Sequence, residues 1–154
     1  MLVLDKNDAS ANYNLGLMYM LGLGEPNMEK NIPRAMEYFK VIELTDAAAM
    51  NAIGVLYYQA PDVFEKDPSK KIGWGGMSRD VKKAWSYLEN SAGKDSLHAS
   101  FNLGCLHLDQ SDRVNFSLSK AYDKFKVAAL RGHTISSYNV GVMHFLGVGT
   151  FKSC

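Results

Sequence analysis

The sequence predicts an all-α fold, an α-solenoid of antiparallel helix pairs with three pairs and a final single helix. Three observations carry this. A pattern of small-x-x-x-aliphatic-Gly occurs four times, at Ala11–Gly16, Ala49–Gly54, Ala99–Gly104 and Ser136–Gly141. A second pattern lies between the copies: Arg34-Ala-Met-Glu-Tyr-Phe39, Lys83-Ala-Trp-Ser-Tyr-Leu88 and Lys120-Ala-Tyr-Asp-Lys-Phe125. From Ala35, Ala84 and Ala121 to the next Gly54, Gly104 and Gly141 the separation is 19, 20 and 20 residues. From Gly16, Gly54 and Gly104 to the following Ala it is 19, 30 and 17. The constant spacing marks a packed interface and the variable one a surface loop.

Each element follows from local signals. The first helix, 8–21, places small and apolar residues at 11, 15, 18 and 19, the stripe of an amphipathic helix, and ends at Gly22-Leu-Gly24. The second, 32–44, does the same with Ala35, Tyr38, Phe39 and Ile42. The third, 46–59, repeats the stripe at 49, 53, 56 and 57, with Asp46 as its expected cap. A fourth, 79–92, ends before Gly93, expected just past its last turn. The fifth, 95–109, is expected to be capped by Asp95, and the sixth, 117–131, carries Ala121, Phe125 and Ala128 before Gly132. The seventh, 134–146, is expected to be capped by Thr134 and to end at Gly147-Val-Gly149. Glycine inside a helix costs about 1 kcal/mol relative to alanine. Four glycines in one register therefore need a packing reason. Close backbone approach by a partner helix, whose own alanine is small, is the expected one.

Composition bounds the function. The 154 residues carry 17 Lys+Arg against 16 Asp+Glu, a formal charge of +1, which gives no long-range attraction for a phosphate backbone. The 47% hydrophobic content excludes disorder. No apolar run is long enough to span a membrane, and Met1–Lys6 lacks the charge and apolar core of a signal peptide. Cys105 and Cys154 cannot form a disulfide framework. Residues 1–154 read as a single array with repeats at about 9–45, 46–94, 95–132 and a partial 133–154, a piece of a longer chain. An apolar stripe of Val140, Met143 and His144 at its end is expected to stay uncovered and make the chain self-associate as a homo-oligomer.

The combined pattern is small-x-x-x-Leu-Gly-x-x-Tyr-x-x-Gly-x-Gly, then Lys/Arg-Ala-x-x-Tyr/Trp-aromatic. It resembles the Sel1-like repeat family, a branch of the tetratricopeptide-type repeats. Leu15, Gly16, Tyr19, Gly22, Gly24, Ala35 and Tyr38 carry it in the first repeat, and Val140, Gly141, Gly147 and Gly149 in the fourth. Repeats 2 and 3 lack the Gly-x-Gly turn, and His107 and His144 stand where Tyr is usual. A bacterial sub-family with regular cysteine pairs and β-lactam activity is not matched by Cys105 and Cys154. The resemblance implies a right-handed solenoid and a protein-interaction scaffold or adaptor. The tail Gly147-Val-Gly-Thr-Phe-Lys-Ser-Cys154 is similar to a segment of endoplasmic-reticulum degradation adaptors. That implies a luminal location and, as partners, a ubiquitin ligase subunit, a lectin-type co-receptor or a misfolded client. A signalling or cell-cycle regulator outside that compartment, or a repeat-containing hydrolase, are the alternatives.

Candidate sites follow. In tetratricopeptide-type grooves an Asn at this register can hold a peptide backbone, which singles out Asn14, Asn102 and Asn139. The alternative is a bond to a neighbouring helix. Tyr13, Phe101 and Tyr138 share that register and either line the groove or fill the gap between repeats. The insertion 60–79 holds Pro61, Pro68, Gly73, Gly75 and Gly76, too many for a helix. Its Trp74 is either a plug or a partner anchor, with the plug favoured. Asn115-Phe-Ser117 is a glycosylation sequon. His98 and His107, nine residues apart, lie about 180° out of phase on a helix and cannot share a metal. No serine-hydrolase elbow, zinc-protease motif or phosphate loop is present, so no catalytic, cofactor-binding or metal-ligating residues are expected.

Overall fold

A computed structural model of the protein describes residues 8–24, 26 and 28–150. Seven α-helices and no strand lie among them: α1 (Ala9–Leu21), α2 (Ile32–Val41), α3 (Ala47–Gln59), α4 (Val81–Gly93), α5 (Leu97–His107), α6 (Leu118–Leu130) and α7 (Thr134–Leu146). No described helix is long and apolar enough to cross a membrane. The chain forms two compact units, Met1–Tyr87 and Leu88–Cys154. Residues 1–7, which include Met1–Lys6, and residues 151–154 of the Gly147–Cys154 tail lie outside the described residues.

In the first unit α1 and α2 run antiparallel. Tyr13 meets Phe39 with ring centroids 5.9 Å apart, while six residues on Tyr19 stacks on Tyr38 at 5.6 Å. Asn31 starts α2 by accepting a hydrogen bond from the Arg34 amide, with Pro33 in the first turn. Ile32, Ala35, Phe39, Ile53 and Leu56 form the fully buried centre of this unit. Tyr87, at its edge, stacks on Tyr57 at 5.9 Å and donates its hydroxyl to Glu43 at 2.8 Å.

In the second unit α5 and α6 repeat the arrangement, with Phe101 against Phe125 at 5.8 Å. The α6–α7 pair is antiparallel too: Tyr122 hydrogen-bonds His144 at 2.9 Å, and the α7 C-terminus lies beside Leu118. Ala121, Phe125 and Met143 are buried together with Val140 packed on them.

Four expectations need correction. At Gly16 and Gly104 the close neighbour is a side chain, not a backbone: a Cβ on Gly104 would lie 2.6 Å from the Phe125 ring, and Gly16 faces Phe39 in the same way, whereas at Gly141 no described atom comes within 4 Å. Ser96 and His133, not Asp95 and Thr134, cap α5 and α7. Asp95 instead takes a left-handed φ of 66°, and Gly93 is the last residue of α4, so the turn falls two residues later than glycine suggested. Of the stripe Val140, Met143 and His144, Met143 is buried and Val140 half-buried against Ala121 and Phe125 of α6, while His144 is exposed. Asp46, by contrast, caps α3 as expected, accepting from the Ala49 amide at 2.9 Å.

Candidate interaction surface

The insertion is a closed loop whose base is stitched by the chain itself. The Arg79 amide donates to the Pro61 carbonyl at 2.9 Å and the Asp80 amide to the Tyr57 carbonyl at 3.0 Å. Its proline and glycine content permits a single 3₁₀ turn, Pro68–Lys71, capped by Asp67. The Ser69 hydroxyl and amide both bond that carboxylate and hold its pKa below the ordinary carboxylate value. The loop then folds onto the start of α2, where the Ile32 amide donates to the Gly73 carbonyl at 2.7 Å. Gly73 sits at φ 82°, and a Cβ there would be 2.8 Å from the Lys30 carbonyl, so only glycine permits the approach.

This docking drives Trp74 inward. It is 6% exposed, belongs to the core of the first unit, and carries the Lys30 ammonium 4.5 Å from its ring. The other side of the loop faces water. Phe64 is 84% exposed, and Val63 and Ile72 are exposed with it. Beside them lies a cleft of about 150 Å³ lined by Pro61, Asp62, Val63, Lys71, Trp74 and Met77. A cavity of that order accepts a benzene-sized group, so the loop offers both protruding apolar side chains and a niche for one from a partner. In the sequence Trp74 stands out, whereas Phe64, Val63 and Ile72 do not. Their spacing has no period in an irregular loop; the available signal was apolar residues interleaved with Asp62, Glu65 and Lys66 between two prolines.

The register residues divide. Tyr13 and Phe101 are half-buried against Phe39 and Phe125 within their own helix pairs, and Phe101 also meets the His133 ring at 4.9 Å. Burial pushes the Tyr13 phenol pKa up, with the Asp46 charge adding to it. Asn14 is exposed, while Asn102 and Asn139 are half-buried. Tyr138 is 71% exposed. At the sequon, the Asn115 side-chain amide donates to Asp112 at 2.8 Å, and the Asn115 carbonyl accepts from Nδ1 of the buried His107 at 2.8 Å. The Asn115 side chain is the main reason the Asp112 carboxyl stays below its ordinary pKa. Among the described residues no cluster of three metal-ligating side chains forms.

Comparisons with known proteins agree with this geometry. The model of the Sel1 repeat matches residues 9–40, 47–70, 72–96 and 134–153, more than half of the chain. Residues 97–133, where α5 and α6 form the same ring-on-glycine pair, fall outside that match. A protective antigen of uropathogenic Escherichia coli with an SLR fold superposes with a TM-score of 0.71 at 22% identity, over 96% of this chain and 28% of that one. A Sel1 repeat protein from Oxalobacter formigenes gives 0.69 at 21%, over 96% and 54%. The chain thus spans about a quarter and about half of those two lengths. No curated protein matches it.

Proposed function

Since the chain belongs to the Sel1 repeat family, we propose that it is a protein-interaction scaffold whose contact surface includes the insertion loop 60–79. The observation that carries this is the pairing of a rigid base with an apolar outer side. Trp74 and the Gly73 contact fix the loop, so exposing Phe64, Val63 and Ile72 at its surface requires little ordering on binding. Exposed large apolar groups beside a side-chain-sized cleft suit shape recognition. A charge of +1 gives little electrostatic steering.

The test is affinity capture from cell extract with the wild-type chain and with Phe64→Ser/Ile72→Ser. Both side chains are exposed, so the double variant should melt at the wild-type temperature and lose the captured proteins. Retention of the same proteins would refute the loop as the contact.

A more specific reading places the chain in an endoplasmic-reticulum degradation adaptor. Its partners would be a ubiquitin ligase subunit, a lectin-type co-receptor or a misfolded client. The Gly147–Cys154 similarity and the Asn115 sequon support it. Asn115 lies in the loop before α6, half-exposed. A glycan on its side-chain nitrogen leaves one N–H to bond Asp112. In cells, the full-length protein should then shift on endoglycosidase treatment, and Asn115→Gln should abolish the shift. A cytosolic, unglycosylated protein would end this reading and leave the scaffold role standing.

A further inference from the structure

We propose that the insertion loop 60–79 is self-complementary and that its occupant is a second copy of this chain, each copy's Phe64 entering the other's cleft about a two-fold axis. Three observations meet in one patch. Phe64 projects with 84% of its surface exposed. The cleft lined by Val63, Trp74 and Met77 has a volume of about 150 Å³, room for one aromatic ring. Val63 lines that cleft and is the chain neighbour of Phe64, so the protruding ring and the niche adjoin. A two-fold axis passing between them lets both rings seat at once, and the contact closes at two copies.

The charges at the cleft specify the same occupant. Asp62 and Lys71 both line it. Asp62 accepts the Phe64 amide at 3.0 Å through Oδ1, and neither Asp62 nor Lys71 forms an ion pair with another described residue. The neighbouring Lys70 is already taken up by Glu65 at 3.6 Å. A surface that must match itself needs one charge of each sign, because the two-fold axis sets each copy's Asp62 against the other copy's Lys71. The loop is held in place beforehand, with the Gly73 carbonyl accepting the Ile32 amide at 2.7 Å, so pairing orders little that is not already ordered. Val63, Phe64 and Ile72 are its exposed apolar side chains, and a contact of that size belongs with weak, reversible interfaces. A dissociation constant on the order of 100 μM is expected.

This names the partner at the surface proposed above and rests on that reading. Sedimentation velocity of the 154-residue chain, from about 10 μM to about 1 mM, should show reversible monomer–dimer exchange and no larger species. Phe64→Ser should weaken the dimer about tenfold or more, with an unchanged melting temperature. Lys71→Glu and Asp62→Lys should each weaken it about tenfold or more, because each sets like charges against one another at both ends of the contact. Mixed in equal amounts, these two variants should regain wild-type association as a heterodimer, since both pairs then form with their signs exchanged. A chain that stays monomeric at about 1 mM, a dimer indifferent to Phe64→Ser, or a mixture no tighter than its components overturns the self-pairing. The scaffold reading is judged apart from it. A monomeric chain whose captured proteins are still lost in Phe64→Ser/Ile72→Ser keeps the loop as a contact for a different protein and overturns only the second copy.

Discussion

Gly104→Ala adds one methyl group at the point where α6 crosses α5. Its carbon would sit 2.6, 2.8 and 3.0 Å from three atoms of the Phe125 ring, where carbon atoms prefer 3.5–4.0 Å. The ring must therefore retreat by about 1 Å. Phe125 is 1% exposed and packed with Ala121, Met143 and Phe101. Overpacking of this kind costs about 1–3 kcal/mol. A rigid ring and a large displacement put the cost in the upper part of that range. Replacing a helical glycine by alanine returns about 1 kcal/mol. The net expectation is a loss of about 1–2 kcal/mol. Gly141→Ala supplies the control, because it makes the same change in the same register with nothing within 4 Å. It should gain up to about 1 kcal/mol. Urea unfolding followed by circular dichroism should thus separate the two variants by about 2–3 kcal/mol, in opposite directions from wild type. Phe125→Leu should relieve Gly104→Ala in a double-mutant cycle, with favourable coupling of at least about 0.5 kcal/mol. Equal stability of Gly104→Ala and Gly141→Ala, or no coupling to Phe125, would refute the ring-on-glycine reasoning.

Trp74→Ala should destabilise the chain by about 3–5 kcal/mol in the same assay, the range for emptying a buried aromatic site; an unchanged melting temperature would mean the ring is not a structural plug. His133 caps α7 through Nδ1, which accepts the Ser136 amide at 3.2 Å. His133→Ala should cost about 1 kcal/mol and His133→Asn much less, as read by thermal melting. Tyr87 is pushed up to about 12, first by burial and then by its hydrogen bond to Glu43. The folded state therefore holds this proton more tightly than the unfolded chain. The resulting stability is present below the unfolded tyrosine pKa of about 10 and is lost as pH rises from there toward 12. Absorbance titration at 295 nm should show a tyrosine ionising near 12 that is missing in Tyr87→Phe.

The helices were legible because their stripes and glycines repeat. α3 and α7 begin and end within a residue of the expected positions, since Asp46, Gly147 and the apolar spacing point to the same boundaries. The caps of α5 and α7 were harder. Asp95 has the side chain for a cap, but it is turned left-handed and its carbonyl accepts from Arg131 instead, which passes the cap to Ser96. His133 was unreadable as a cap because imidazole accepts an amide only in one tautomer and one orientation. The glycine register announced a close contact, yet not that a phenylalanine ring fills it; the ring came from the second pattern, 21 to 23 residues away. On α7 the sequence does not tell which apolar residues are covered: Val140 and Met143 pack under α6, while His144, Ile135, Tyr138 and Phe145 of the same helix are exposed. Only the packing of α6 decides which side is covered. The insertion's outer side was invisible for a plainer reason: a loop has no period from which to read an orientation.

The most direct test of the scaffold assignment is hydrogen–deuterium exchange on the chain alone and on the chain bound to a captured partner. Slowed exchange concentrated in residues 60–79, absent for Phe64→Ser/Ile72→Ser, is the result predicted. Unchanged exchange across that loop in a confirmed complex, with protection confined elsewhere, would contradict it.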